Sequence, residues 1–233
     1  MLGSHKMAED IIRYDDMRSH SIAEMNLKEQ IADILNTIEK EMSRTGEMFS
    51  SLLEGKCELV KKAYELVRAL KEEAQKKKEG TMEYLVRVTP NLLNKEMYMF
   101  ALIHLDTLSQ QIDELAYKLA MAASFNTGLP EPLGAQFGEL FASLSEMIRL
   151  LRDEAKQLIV SGGSERVLEY HDKILVLEEK VDEKQRKLLG ELLRIAPPLP
   201  TLFILKETLD TLESSSDRIR EASHVFRYLA LFR

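Results

Sequence analysis

The chain has 233 residues, of which 45 % are hydrophobic and 30 % are charged, and its formal net charge is −7. This acidic balance argues against nucleic acid as the main partner, because phosphate backbones select basic surfaces. No apolar run approaches the roughly 20 residues that a membrane-spanning helix needs. Only ten Gly, six Pro and no Trp accompany many Leu, Glu, Lys and Ala residues, so the composition predicts an all-α fold.

Turn and cap residues divide the chain into six long predicted helices. We expect them at residues 21–53, 56–86, 91–125, 133–160, 164–195 and 202–231. The predicted caps are a capping box of Ser21 with Glu24, then Asn91 and Ser164. The predicted breaks are Gly55, Thr89-Pro90, the segment 126–132, Gly162-Gly163 and the prolines 197, 198 and 200. Short links between long helices are typical of antiparallel bundles.

The residues before the first predicted helix, 1–20, are expected to be flexible and in part a remnant of cloning. They lack the hydrophobic stretch of a signal peptide. The single cysteine, Cys57, cannot form an internal disulfide, which fits a reducing compartment. We therefore predict a cytoplasmic protein.

The two halves of the chain resemble each other. Leu105-Asp106-Thr107-Leu108 recurs as Leu209-Asp210-Thr211-Leu212, an offset of 104 residues (209 − 105). The same offset places Asp113 opposite Asp217, and each segment lies in the third helix of its half. The match predicts a duplicated three-helix unit, with repeats at residues 21–126 and 133–233.

Acidic residues form a stripe along the last helix. At spacings of three and four, the stripe contains Asp210, Glu213, Asp217, Glu221 and His224. The apolar face beside it contains Leu205, Leu209, Leu212, Ile219 and Phe226. We expect Arg218 and Arg220 to point away from the stripe, so the repulsion between its like charges needs another source of compensation.

The fifth helix carries acids on its core-facing side. Glu178 and Asp182 fall among the apolar positions, together with His171 and Gln185. A carboxylate there is costly unless it is paired, hydrogen-bonded or bound to a metal. With the pair Glu213 and Asp217 on the neighbouring helix, these residues would supply four oxygen ligands. A hydrogen-bonded or lysine-paired structural role remains the alternative.

Signatures of catalysis are absent from the sequence. It contains no Gly-rich phosphate loop, no Cys-x-x-Cys pair and no His-Glu-x-x-His motif. A di-iron centre would need two Glu-x-x-His motifs, and only Glu221 to His224 matches. His104 and His171 are the remaining histidines in helical context. We therefore predict that the protein is not an enzyme.

The paired-acid segments resemble those of PhoU-like phosphate-transport regulators, and more closely the branch associated with low-affinity phosphate permeases. The similar strings are Leu177-Glu178-Glu179-Lys180-Val181-Asp182 and the run from Leu209 to Arg218, LDTLESSSDR. The resemblance implies a fold of two three-helix repeats. It also implies a regulator that contacts a phosphate transporter or its signalling partner and forms dimers, with peripheral placement at the inner face of the membrane.

The same resemblance implies metal binding, by iron or another divalent cation. The implied ligands are Glu178, Asp182, Glu213 and Asp217, with Asp210 as a weaker one. The first half departs from this pattern. Ser109 stands where Glu213 would be, although Asp106 and Asp113 remain, and Lys71 and Gln75 replace Glu178 and Asp182. We therefore expect a site only in the second half. The alternative is a metal-free helical bundle that binds partner helices.

Overall fold

A computed structural model describes residues 2–88, 92, 94–125, 129, 133–160 and 164–232, with side chains described from Ile22 onward. These residues form helices and no strands, which confirms the all-α prediction. The helices are α1 (Leu2–Leu53), α2 (Cys57–Val88), α3 (Lys95–Ser124), α4 (Leu133–Gln157), α5 (Ser164–Ile195) and α6 (Leu199–Leu231).

Two predicted helix starts are wrong. The backbone of α1 is helical from Leu2, so Ser21 lies inside the helix and does not cap it. Helix formers follow Ser4 without a Gly or Pro until Gly46, so nothing in the sequence interrupts the helix at Ser21. Glu24 accepts a hydrogen bond from the Tyr98 hydroxyl at 2.7 Å and pairs with Lys28 at 2.6 Å.

The last helix begins earlier than predicted. Residue Leu199 opens α6, and Pro200 lies in its first turn. Proline is tolerated there because the first backbone N–H groups of a helix have no partner within it. Helix α4 ends at Gln157, three residues earlier than the predicted end at residue 160, and the chain turns through residues 158–160. Gly55 makes the predicted turn after α1, at a φ of 71°.

Several predicted breaks and caps lie outside the described residues: Thr89-Pro90, Asn91, Gly162-Gly163 and all of 126–132 except Leu129. The structure begins α3 at Lys95, preceded by Asn94 at a φ of 59°. Ser164 is the first residue of α5, and its hydroxyl donates to the backbone carbonyl of Ala230 at 3.1 Å.

Four helices surround the centre of the bundle. In order around it they are α1, α3, α6 and α4, each packed against the next, and α4 also packs against α1. The two outer helices cover the sides: α2 packs on α1 and α3, and α5 packs on α4 and α6. One continuous apolar core joins the halves. The duplicated unit thus provides two similar outer seams, and the predicted metal ligands lie at the seam of α5 and α6.

The halves are joined on both sides of the core. Between α1 and α4 the Phe49 ring stacks on Phe141 with centroids 4.6 Å apart, and Arg152 pairs with Glu39. Between α3 and α6 a buried lysine adds polar contacts to the apolar core. Lys118 is 8 % exposed and donates to the Glu207 backbone carbonyl at 3.0 Å and to the Thr211 hydroxyl. This buried ammonium therefore ties the third helix of one half to that of the other.

No helix among the described residues is long and apolar enough to cross a membrane.

Replacing Lys118 with Met tests the polar tie between the halves. The change keeps the aliphatic stem but removes the ammonium that donates to the Thr211 hydroxyl and the Glu207 carbonyl and pairs with Glu114. We expect the free energy of unfolding in urea to fall by about 1–3 kcal/mol. The exposed Lys61, which pairs with Glu58 three residues away, is the control, and Lys61→Met should change it by less than about 0.5 kcal/mol. Equal effects of the two variants would contradict the assignment.

Candidate metal centre

The packing of α5 against α6 brings the predicted ligands together. Glu178 and Asp182 come from α5, and Asp210, Glu213 and Asp217 come from α6. The apolar positions that set this packing are buried as predicted, including Ile174, Val181, Leu209 and Ile219. Glu178 is only 6 % exposed, which confirms that it lies on the core-facing side of α5.

Burial and the repulsion between neighbouring carboxylates raise the pKa of two of these acids, Glu178 and Glu213. Burial raises the pKa of the Glu178 carboxyl, and Arg220 opposes that rise, while a hydrogen bond with Asp217 and the charge of Asp182 add to it. Burial also raises the pKa of Glu213, and the charges of Asp217, Asp182 and Asp210 raise it further. The five carboxylates therefore lie within electrostatic range of one another across the seam.

Arginines and a lysine compensate part of this charge, so the expectation that the stripe lacks a base is wrong. Arg220 donates to Glu178 through Nη1 and to Asp217 through Nη2, the latter at 2.8 Å. Lys206 pairs with Asp210, and Arg218 pairs with Glu221. Each of these basic residues is three or four positions from its acidic partner on α6, a spacing at which long side chains reach each other along the helix.

The remaining oxygens differ in how free they are. Asp210 also accepts from the Gln185 amide at 3.5 Å, so both of its oxygens already have partners. Asp182 pairs through Oδ2 with the exposed Arg186 at 3.1 Å. Its other oxygen, Oδ1, is buried and has no hydrogen-bond partner among the residues that the structure describes. A buried carboxylate oxygen without a donor is what a bound cation would satisfy.

By chemistry, the donor set fits a hard cation, because carboxylate oxygens from two helices are what Mg²⁺, Mn²⁺ and Fe²⁺ prefer. Within the described ranges, however, no three His, Cys, Asp or Glu side chains are already arranged around a common point for a metal ion. The guanidinium of Arg220 bridges two of the candidate ligands instead. Metal binding would thus require Arg220 to move.

The corresponding seam of the first half is built differently. Ser109 donates to Glu41 at 2.8 Å, so α1 supplies a carboxylate that the sequence analysis missed. Burial raises the pKa of Glu41 well above its usual value, and the charge of Asp113 adds to it while that of Lys71 opposes it. Lys71 also donates to Gln75 at 3.3 Å. A lysine and an amide thus occupy the place of two ligands, as predicted.

A second buried polar group lies further along α6. Glu154 of α4 is 0 % exposed, and within the described part of the chain neither of its oxygens has a hydrogen-bond partner of good geometry. The Ser223 hydroxyl, which lies 2.8 Å from His171 Nδ1, partly offsets the effect of burial on the pKa of Glu154. Burial raises the pKa of Glu154 well above its usual value and lowers that of His171, so both groups favour their neutral forms.

Both buried glutamates interrupt an apolar helical repeat. Glu41 follows Ile31, Ile34 and Ile38 at spacings of three and four, and Glu154 follows Met147 and Leu151 in the same way. A search for charged residues at heptad core positions would have found them from the sequence.

The geometry does not support a di-iron centre. Glu221 faces α3, where its carboxylate lies 3.4 Å from His104 and pairs with Arg218. His224 faces α5, with its ring centroid 4.8 Å from that of His171. The two residues of the single Glu-x-x-His motif therefore point to different neighbouring helices.

Comparison with known proteins gives a match in structure only. No protein-family model and no curated protein sequence matches the chain. A PhoU-like phosphate regulatory protein of Shewanella oneidensis MR-1 matches with a TM-score of 0.68 and 14 % identity, over 89 % of this chain and all of that one. A second PhoU-like protein of that organism gives a TM-score of 0.67 over the same shares, at 14 % identity.

The structure of PhoU from Pseudomonas aeruginosa matches with a TM-score of 0.72 and 13 % identity, over 91 % of this chain and 99 % of that one. Identities this low establish the fold and leave function to be argued from residues. The chain therefore has the PhoU fold, which confirms the fold expected from the paired-acid segments.

Glu154 gives a prediction about pH. Its pKa is higher in the folded protein than the ordinary value of 4.5, so its cost to stability is absent below that pH and grows as pH rises through the folded pKa. Glu154→Gln removes this titration. We expect the free energy of unfolding of the variant to fall less steeply above pH 4.5, by up to about 1.4 kcal/mol per pH unit.

Thermal or urea unfolding at several pH values measures this slope. The control is Glu72→Gln, a change at an exposed position of α2, which should leave the slope of the wild-type protein unchanged. Identical slopes for wild type and Glu154→Gln would contradict the raised pKa of Glu154.

Proposed function

We propose that this chain, which has the PhoU fold, is a non-enzymatic regulator or accessory protein of phosphate transport. It acts by contact with a phosphate transporter or its signalling partner, as a homodimer at the cytoplasmic side of the membrane. Two of the matched structures carry names that support this proposal, one of a putative PhoU-like phosphate regulatory protein and one of PhoU. Phosphate itself is not proposed as a ligand, because no cluster of arginines with backbone donors occurs in the sequence.

The second part of the proposal is a metal site in the second half. Glu178, Asp182, Glu213 and Asp217 would hold the ion, and Asp210 would contribute less because Lys206 and Gln185 already contact it. The observation that supports this part is that carboxylates from two helices lie within electrostatic range of one another at one seam. At that seam Asp182 Oδ1 is buried with no hydrogen-bond partner in the described part of the chain. The bound ion, iron or another divalent cation, would supply positive charge that joins α5 to α6.

The chain's own residues define what the ion would do. Glu178 and Asp182 fix the α5 side of the site, and Glu213 and Asp217 fix the α6 side. An ion shared between them would hold the outer helix against α6 more firmly than the ion pairs of Arg220 do, since a divalent charge is concentrated at one point. The shape of the α5–α6 surface would thereby depend on metal supply, and that surface is available to a partner protein.

One observation favours a second candidate function, a metal-free interaction scaffold. Arg220 already neutralises part of the charge at the seam, and among the described residues no three potential ligands are arranged to hold a metal ion. In a metal-free scaffold the carboxylates would increase solubility and pair with basic residues between the helices, and partner binding would not depend on metal.

Metal analysis separates the two candidates. Protein purified without chelator or metal-affinity resin is expected to contain metal, and the double variant Glu213→Gln/Asp217→Asn is expected to lose it. Its affinity for Mn²⁺ should fall at least about 100-fold, because losing a direct ligand costs more than losing an outer-shell partner. The matched control is Glu179→Gln/Glu183→Gln, at two exposed positions one residue along α5 from the site. A metal-free wild type whose stability stays level or rises in the double variant supports the scaffold.

Phosphate uptake tests the regulatory part. Removing the gene from its own host is expected to change the rate of labelled phosphate uptake, and the wild-type gene should restore it. If metal shapes the contacting surface, the gene for Glu213→Gln/Asp217→Asn should not restore uptake, whereas the control double variant should. Unchanged uptake after removal of the gene would contradict a role in phosphate transport.

A further inference from the structure

The guanidinium of Arg220 occupies the seam where the proposed metal would lie. It contacts Glu178 Oε1 on α5 and Asp217 Oδ1 on α6, so one side chain joins the two helices. The Glu178 side chain is 8 % exposed and the Arg220 side chain is 32 % exposed. The arginine thus contacts a largely buried carboxylate while about a third of its own side chain is exposed to solvent.

Arg220 and a metal ion need the same oxygen atoms. A carboxylate oxygen that accepts a guanidinium hydrogen bond at 2.8 Å, as Asp217 Oδ1 does, cannot bind a cation at about 2.0–2.6 Å in the same direction. The guanidinium and a metal ion bound to the same carboxylate would also repel each other, because both are positively charged. The arginine and the ion are therefore alternative occupants of one site.

The first half shows a different solution to the same charge problem. Its internal cation is Lys71 on α2, which stands at the repeat position of Glu178 and lies near Glu41 and Asp113. The repeat position of Arg220 is Ala116, which is fully buried. There the cation has replaced a ligand, so moving it does not complete a carboxylate set. In the second half Arg220 takes no ligand position, and its departure would free Glu178 and Asp217, two of the four proposed ligands.

We propose that Arg220 is a displaceable internal cation, which fills the second-half site when metal is scarce and swings out when metal binds. The inference rests on the metal site of the proposed function. It assigns Arg220 a positioning role, in which the residue holds α5 against α6 without metal and sets the concentration at which metal takes over. The nearby Arg218 has no such role, because it contacts Glu221 and His104 and none of the four proposed ligands.

The test compares Arg220→Gln with the control Arg218→Gln, with circular dichroism to check that each variant is helical. Free Mn²⁺, followed by its electron paramagnetic resonance signal, measures affinity in metal-stripped protein. Loss of the competing guanidinium should tighten Mn²⁺ binding by about tenfold in Arg220→Gln and leave Arg218→Gln near wild type. The melting temperature of metal-free Arg220→Gln should be lower than that of the wild type, and added Mn²⁺ should raise it by more than it raises the wild type.

Arg220→Lys provides a second variant that keeps the charge. Because an ammonium cannot bridge two carboxylates as a planar guanidinium fork does, its Mn²⁺ affinity should fall between those of wild type and Arg220→Gln. Equal or weaker binding in Arg220→Gln, with binding still abolished by Glu213→Gln/Asp217→Asn, would overturn the inference and leave the metal site standing. No Mn²⁺ or Fe²⁺ binding in the wild type or in either variant would overturn both. Binding only in Arg220→Gln would support the displacement strongly.

Discussion

Carboxylates of α5 and α6 repel one another where the two helices pack together, and the second half of the protein must compensate this repulsion. Core packing through Ile174 and Ile219 brings the helices close, and this closeness forces Glu178 against the acids of α6. Carboxylates in such a place need protons, internal cations or a metal ion. The structure contains the second solution, with Arg220 joining both helices. What this half of the protein can bind depends on whether protons, Arg220 or a metal ion compensates the carboxylates.

The duplicated unit explains why the two halves differ in chemistry while sharing a frame. Helix α2 packs on α1 and α3, whereas α5 packs on α4 and α6, so the two outer seams involve different helices. In the first half, Lys71 stands at the repeat position of Glu178, and Glu41 of α1 accepts a hydrogen bond from Ser109. In the second half both helices of the seam carry acids, and Arg220 supplies the cation between them.

Much of this fold could be predicted from the sequence, because helix formers, prolines and glycines mark where helices run and end. The start of α6 differs from the prediction because Pro200, predicted as a break, lies in the first turn of the helix, where proline is accepted. The pairing of α3 with α6 was beyond prediction, since it depends on how two apolar faces meet in three dimensions. The site shows the same division. Helical periodicity predicted that Glu178 and Asp217 face this seam. Periodicity gives only the direction in which a side chain leaves the helix, whereas the Arg220 side chain bends back by three residues to reach Asp217.

In the proposed site, the carboxylates of α5 and α6 bind a metal ion and Arg220 is displaced by it. Anomalous diffraction at the manganese edge, from crystals grown with and without Mn²⁺, would locate both the ion and the arginine. We expect a peak among Glu178, Asp182, Glu213 and Asp217 in the Mn²⁺ crystals, with the Arg220 guanidinium turned away from Glu178, and the Arg220 bridge in the metal-free crystals. No peak at the seam, or a peak with the Arg220 bridge still intact, would contradict it.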